Sequence, residues 1–254
     1  MTILRSRDNP RVRRWARLVL DGRFRRQEGR ILLEGPHLVA AALERGLKPI
    51  AVLVSESSPA EPEIASLLGR AGMAPQLLSE SAFRAVADAD EPPGIAGEFD
   101  LPRIAERRGA HCVFLERVQD PGNVGAIVRS AAAFGVGAVV LDRGCADAWS
   151  PKALRAGMGG HFMLAIRQTA ALGSELDAFD GKVACALTRG GTCLASADLS
   201  GRLGWVFGSE GGGLSPRLAE KARLRVTIPT APGTESLNVA AAAAICLYES
   251  FRRA

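Results

Sequence analysis

The sequence predicts an α/β protein, and three observations lead there. Apolar runs of strand length alternate with amphipathic stretches of helix length from residue 10 to the end. Pro, Ser, Asn and Gly stand at the joints, where helices start or have just ended. Of the 254 residues, 47% are hydrophobic, enough for a sizeable core, yet no apolar run reaches the length of a membrane span. Alternation throughout implies a parallel sheet covered on both faces.

The chain is long enough for two modest domains. Asn9-Pro10 starts a helix to about residue 20, with Pro10 in the first turn and Trp15, Leu18 and Val19 as its apolar side. A strand follows over residues 31–34. A helix over 36–44 is closed by Gly46, a strand covers 50–54, and a helix over 61–70 is closed by Gly72. After a short strand at 76–78, Ser79 caps a helix to about residue 89. Asp88-Ala-Asp-Glu-Pro-Pro-Gly94 breaks the pattern and a polar stretch covers 100–109. We therefore read a domain over 1–99, a linker over 100–109 and a second domain over 110–254.

The second domain restarts with a strand at 112–115. A turn at Asp120-Pro-Gly-Asn123 follows, with Asn123 read as the cap of a helix over 124–134 that Gly135 ends. Then come a strand at 139–141, a helix from Ser150-Pro151 to about 158, a strand near 162–166 and a helix near 170–179. Strands at 183–187 and 204–207, a short helix from Ser215-Pro216 to about 221, and a strand at 224–228 lead to a last helix over 237–251.

The net charge is +5, and all of the excess lies at the start. Residues 1–35 hold ten arginines against Asp8, Asp21, Glu28 and Glu34, a net of +6; the remainder holds 22 basic and 23 acidic side chains, a net of −1. Concentrated arginine is the electrostatic footprint of a polyanion, here a nucleic acid. The competing reading is a solvated helix face. Five scattered cysteines without a C-x-x-C pair read as reduced, buried thiols of a cytoplasmic protein. His37, His111 and His161 lack metal spacing, so no metal is expected. The start has no apolar signal segment.

Several enzyme classes lose support. The strand–turn–helix at 113–134 has DPGNVG where a dinucleotide fold needs G-x-G-x-x-G. Gly208–Gly213 is not followed by Lys-Ser or Lys-Thr, so it is no Walker loop. There is no G-x-S-x-G. What remains are two polar loops, each between a strand and a helix, where α/β proteins bind ligands. One is Gly208-Ser-Glu-Gly-Gly-Gly-Leu214, four glycines around the single carboxylate of Glu210. Glycine there suits close approach of backbone to a ligand. The other ends on Ser236 and Asn238, and Asn238 also suits the cap of the last helix. Asn123 and Arg129, six residues apart on one helix, do not share a face and would meet a common ligand only through tertiary context.

Three blocks taken together carry a resemblance. Asp120-Pro-Gly-Asn-Val-Gly-Ala-Ile-Val-Arg-Ser130, Phe207-Gly-Ser-Glu-Gly-Gly-Gly-Leu-Ser215, and Ile228-Pro229 with Glu235-Ser-Leu-Asn-Val239 resemble the three signature motifs of the SpoU (TrmH-type) RNA 2′-O-ribose methyltransferases of the SPOUT superfamily. The likeness covers about residues 110–254. Ser150-Pro-Lys-Ala-Leu-Arg-Ala-Gly-Met-Gly-Gly160 is similar to a further family segment, with Gly157 where serine is commoner. Asn9-Pro10 and Glu34-Gly35-Pro36 resemble the family's small L30e-like substrate-binding domain.

The resemblance implies a parallel-sheet SPOUT domain with a deep trefoil knot, behind a small L30e-like α/β domain. Knots are otherwise disfavoured. It implies S-adenosylmethionine as cofactor, held by Gly208, Ile228 and Leu237, with Leu187 at the end of a neighbouring strand. It implies Asn123, Arg129, Glu210, Ser236 and Asn238 as the polar active-site residues. Arg129 is often assigned as general base in the family. A neutral guanidinium at pH 7 costs roughly 9 kcal/mol, so a phosphate anchor and stabiliser of the nascent 2′-alkoxide is the better role for it. The partners implied are RNA, most readily ribosomal RNA given the two-domain layout, and a second copy of the chain in a homodimer. A transfer RNA methyltransferase, a resistance-type ribosomal RNA enzyme and a non-catalytic ribosome-associated RNA-binding protein are the alternatives.

Overall fold

The computed structural model describes residues 2–59 and 61–253. Its elements run α1 (Pro10–Leu20), α2 (Gly22–Glu28), β1 (Arg30–Glu34), α3 (Pro36–Glu44), β2 (Pro49–Ser55), α4 (Pro62–Ala71), β3 (Gln76–Leu78), α5 (Glu80–Arg84) and β4 (Ile95–Asp100). They continue β5 (Cys112–Leu115), α6 (Pro121–Ala133), β6 (Ala138–Asp142), α7 (Pro151–Gly157), β7 (Ala165–Thr169), α8 (Leu172–Asp177), β8 (Lys182–Leu187), β9 (Thr192–Cys193), β10 (Leu203–Phe207), α9 (Pro216–Ala219), β11 (Leu224–Thr227) and α10 (Val239–Phe251). Short 3-10 turns stand at Gly160–Phe162 and Leu194–Ser196. The chain forms two compact units. One runs to Pro102 and also takes in Trp149–Phe162; the other comprises Arg103–Ala148 and the chain from Met163 onward.

The first unit is built on a four-stranded sheet in the order β1-β4-β2-β3. Side chains alternate across it with the period of two that a strand imposes. Ile31, Leu33, Val52 and Val54 pack under α3 and α4 with Leu38, Val39, Ile64 and Leu67. Leu32 and Leu53 face the opposite way, against Val12, Trp15 and Leu18 of α1 and Phe83 of α5. The helix starts follow the capping rules. Asn9 accepts from the N–H of Arg11 with Pro10 at the first position, and Ser79 accepts from Ala82.

Four expectations fail in this unit. The sheet is mixed, because β4 lies antiparallel to both β1 and β2. Its sequence, Ile-Ala-Gly-Glu-Phe-Asp, follows a Pro-Pro-Gly break, and only pairing on both sides makes it a central strand. Helix α2 is missed; Asp21 caps it by accepting from Phe24 and Gly29 ends it at φ 62°. The helix after Ser79 ends at Arg84, five residues short of the expected end. Finally, the segment 149–162 groups with this unit rather than with the later chain, since Leu154 and Phe162 lie in its core.

The second unit carries seven parallel strands in the order β7-β6-β5-β10-β8-β11-β9. Strands buried on both faces read as continuous apolar runs, as Cys112–Leu115 and Leu203–Phe207 do. One face packs Phe114, Val140, Cys185 and Val206 against Leu172, Leu176 and Leu218. Toward α10, the buried indole of Trp205 donates to Ser250 Oγ at 3.0 Å, and that hydroxyl donates to the Cys246 carbonyl at 2.9 Å. Two boundaries shift: a 3-10 turn occupies 160–162 and the strand expected there starts at Ala165, and β9 is an extra edge strand. Four of the five free thiols are buried, and Cys193 on β9 is exposed. Burial raises the thiols of Cys112, Cys145 and Cys246 to about 12.

Candidate functional site

The carboxyl ends of β8, β10 and β11 open into one cavity of about 360 Å³. Its wall includes Leu187, Gly208, Ile228 and Leu237, the four expected cofactor residues, together with Glu210 and Ser236. That volume lies in the usual range for a small-molecule site. The apolar side chains of Leu187, Ile228 and Leu237 and the loop backbone give the mixture that an aromatic base with a polar edge requires.

The glycine loop closes on itself. Ser209 N donates to the Gly213 carbonyl at 3.1 Å and Gly213 N returns to Ser209 O at 2.9 Å. A side chain at Gly208 would put its Cβ 2.2 Å from Gly213 backbone atoms. Gly208 is therefore required first by the loop's own closure. The far side of the loop is tied down by Glu116, whose Oε2 accepts from Ser215 N at 2.7 Å.

Three of the expected polar residues form a single chain of hydrogen bonds. Asn238 Oδ1 accepts from the N–H groups of Ala240 and Ala241 at the start of α10. Its Nδ2 donates to Asn123 Oδ1 at 3.0 Å, and Asn123 Nδ2 donates to Glu210 Oε1 at 2.8 Å. Helix N–H donors at one end and a carboxylate at the other leave each amide one orientation. Burial works to raise the Glu210 carboxyl. Donors from Asn123 and from the backbone of Glu210, Gln119 and Asp120 outweigh it and hold the group below the ordinary carboxylate range. Glu210 is an anion at neutral pH and serves as a fixed acceptor.

Asn123 is not the helix cap expected from sequence. Asp120 is, accepting from Asn123 N at 3.0 Å, with Pro121 at the first position of α6. The Asp-Pro pair is itself a start signal, so the capping rules applied one step earlier find it. Asn123 is thereby released for the amide chain. Asn238 is both cap and chain member. Ser236 lies on the cavity wall in an exposed stretch. Arg129 stands apart on the exposed side of α6, and no described residue engages its guanidinium. Sequence reasoning passed over Glu116 and Asp120, the two carboxylates that position the loops. Their signals are local for Asp120 and wholly tertiary for Glu116.

The N-terminal arginines divide in two. Arg25 is buried and donates to the Leu18 and Val19 carbonyls at 2.6 and 2.7 Å, closing the end of α1. Arg14 pairs with Glu98 at 2.8 Å, Arg17 with Asp21 at 3.4 Å, and Arg30 with Asp100. Arg13 and Arg23 are exposed, with guanidinium groups that no described residue engages.

Comparison with known proteins places this geometry beside related chains. The SpoU rRNA Methylase family matches residues 110–248, and the MRM3-like substrate binding domain matches residues 9–97. The chain is 34% identical to the 23S rRNA (guanosine(2553)-2′-O)-methyltransferase RlmP of Bacillus subtilis, over 98% of each chain. It is 28% identical to the 23S rRNA (uridine(2479)-2′-O)-methyltransferase of Streptomyces viridochromogenes, over 96% of this chain and 90% of that one. Among solved structures, the AdoMet-bound rRNA methyltransferase of Sinorhizobium meliloti superposes with a TM-score of 0.83 at 28% identity, over 99% of this chain and 98% of that one.

Proposed function

Since the chain belongs to the SpoU rRNA methylase family, we propose that it methylates a ribose 2′-hydroxyl of 23S ribosomal RNA in the cytoplasm. It is an RNA 2′-O-methyltransferase with S-adenosylmethionine as its cofactor. Bound, that cofactor supplies a methyl group already activated on a sulfonium. The observation that carries the site assignment is the Glu210–Asn123–Asn238 chain at the wall of a cavity lined by all four expected cofactor residues. Leu187, Ile228 and Leu237 would bracket the adenine, and the backbone around Gly208 would hold its edge.

The protein's task is to hold the hydroxyl in line and to stabilise charge as it develops. Asn123 occupies one oxygen of Glu210 and orients the carboxylate, and Ser236 and Asn238 complete the polar wall toward the ribose. The 2′-oxygen would gain the methyl group, the sulfonium would leave as a neutral thioether and the hydroxyl proton would pass to water, while Arg129 anchors a phosphate and stabilises the nascent alkoxide. Arg129→Lys is expected to keep RNA binding and lose most turnover; a fully active lysine variant overturns that role. No Lewis acid is needed in this scheme, because sulfonium is itself a good leaving group.

The cavity does not contain Arg129, which fits the proposal that the protein works as a homodimer in which one copy completes the site of the other. In support, Ile245, Tyr248 and Phe251 are 40%, 52% and 54% exposed on α10. Phe134 packs against both aromatic rings at 5.7 and 5.8 Å. Exposed apolar side chains grouped on one helix suit burial against a second copy, and sedimentation of the full chain reads the outcome directly. The family's deep trefoil knot is part of the same proposal; a sheet order that interleaves β10 and β8 between β5 and β11 is compatible with it.

The proposal names a hydroxyl rather than a base, since the two curated relatives carry names with different bases. Deleting the gene and mapping 2′-O-methyl groups across total RNA tests it. One missing 23S methyl group is expected. A missing transfer RNA methyl group replaces the substrate. An unchanged map, with no calorimetric binding of S-adenosylmethionine, supports the non-catalytic alternative.

A further inference from the structure

Arg117 has φ +52°, and Met158 is the only other described non-glycine residue with a positive φ. Met158 ends helix α7, a usual place for that conformation. Arg117 ends no helix. It follows β5, and a left-handed arginine there costs on the order of 1 kcal/mol or more. Asp142 holds it in place, its Oδ1 accepting from Arg117 N at 3.0 Å and from Gly144 N at 2.9 Å. The stem of Arg117 lies over Gly144, where an added Cβ would come 2.8 Å from Arg117 Cγ. The guanidinium is exposed, and no described residue engages it.

Two further arginines share this setting. Arg143 follows β6 directly, and Arg189 follows β8 after Thr188, a residue of the cavity wall. Both are exposed, and no described residue engages either guanidinium. The strands are parallel, so all three arginines emerge at the edge of the sheet that carries the cavity. In sheet order Arg143 and Arg117 lie on one side of the glycine loop after β10, and Arg189 on the other. Three strand steps at about 4.8 Å each make the row roughly 14 Å wide. Three carboxylates beside the row accept from backbone N–H groups: Asp142 from Arg117 and Gly144, Glu116 from Ser215, and Asp120 from Asn123.

We infer that Arg117, Arg143 and Arg189 form a phosphate-binding row that lays the RNA backbone across the mouth of the cavity, with phosphates gripped on both sides of the target ribose. This rests on the proposed function and adds the residues by which the second unit itself takes hold of the substrate. Strain at Arg117 is the mark of a side chain kept for its position rather than for the stability of the fold.

The test uses the full chain with Arg117→Gly, Arg143→Ala and Arg189→Ala, and a 23S rRNA transcript as probe. Each variant is expected to bind the transcript more weakly. Each should also lower the slope of log affinity against log salt by about 0.7 for single-stranded contact. KM for the transcript should rise more than kcat falls, and calorimetric affinity for S-adenosylmethionine should stay at the parent value. Arg117→Gly should also unfold at higher urea than the parent, since glycine relieves the left-handed strain. Weaker RNA binding together with higher stability is a pairing that a structural role would not produce. Parent-like salt slopes in all three variants, with normal cofactor binding and methyl transfer, overturn the row and leave the proposed function standing. A parent protein that neither binds S-adenosylmethionine nor methylates RNA overturns both.

Discussion

Glu98 in the first unit and Glu210 in the second are both carboxylates held by side-chain donors, and they are built for opposite ends. Glu98 is 3% exposed and takes Trp15 Nε1 at 2.7 Å and Arg14 at 2.8 Å. Its bond holds the Arg14 guanidinium above its ordinary pKa against the effect of burial. That set ties α1 to the middle of a sheet. Glu210 sits at the surface of a cavity and takes one amide and several backbone N–H groups. Buried, paired charge rigidifies a fold, whereas an exposed carboxylate whose donors occupy only part of it keeps acceptor capacity for a ligand.

The largest effect should separate the two. Asn123→Ala removes the donor that orients Glu210 and is expected to lower methyl transfer by about 10²–10³-fold, the scale for loss of one preorganised polar group. Its urea midpoint should stay near that of the parent. Glu98→Ala should do the reverse: about 2 kcal/mol of stability lost, because the buried Trp15 indole keeps a donor without an acceptor and Arg14 is left with Glu28 alone. If Asn123→Ala unfolds the protein and Glu98→Ala does not, the contrast is broken.

A smaller effect concerns the glycine loop. Gly208→Ala should cost about 2 kcal/mol and weaken S-adenosylmethionine binding, since the added carbon meets Gly213 backbone. Gly211→Ala, with open space around the added carbon, should leave the urea midpoint within error of the parent. Equal midpoints for the two variants would remove self-closure as the reason for Gly208.

The pH dependence sharpens the comparison further. The folded-state pKa of Glu210 is lowered from 4.5, so its ionised form is the one the fold favours. The stability it contributes is complete above 4.5 and disappears as pH falls through the lowered value. The small part of that stability which depends on Asn123 should therefore vanish in Asn123→Ala as a weaker dependence of the urea midpoint on pH below 4.5, with the midpoint at neutral pH near the parent's, and the acid limb of activity near neutral pH should not move in Glu210→Gln. The smallest effect is chemical. Of the thiols, exposed Cys193 should alkylate in the native protein, and Cys112, Cys145 and Cys246, raised to about 12, should react only in urea.

Much of the fold is legible from local rules. The bounds of α1, α3, β3 and β5 agree with the sequence reading to within a residue, because caps, prolines and apolar period act over a few neighbours. The rules fail where pairing decides. Strand β4 is weak by itself and exists because β1 and β2 flank it. Helix α2 lies in a run of arginines that carries no clear apolar period, although Asp21 and Gly29 mark its ends. In the site, the motif residues Gly208, Ile228 and Leu237 do line one cavity. Asn123 is not a cap, since Asp120 and Pro121 start the helix three residues before the expected position.

By itself the sequence determined the element types, the charge asymmetry, the motif residues and the family they announce, all of which are written in residue type and short spacing. Only the tertiary structure decided the mixed sheet and the inward use of Arg14 and Arg25. It alone joined Asn123 to Glu210 across 87 residues and to Asn238 across 115. A hydrogen bond depends on atoms within about 3 Å, and at such separations along the chain only the folded backbone sets that distance.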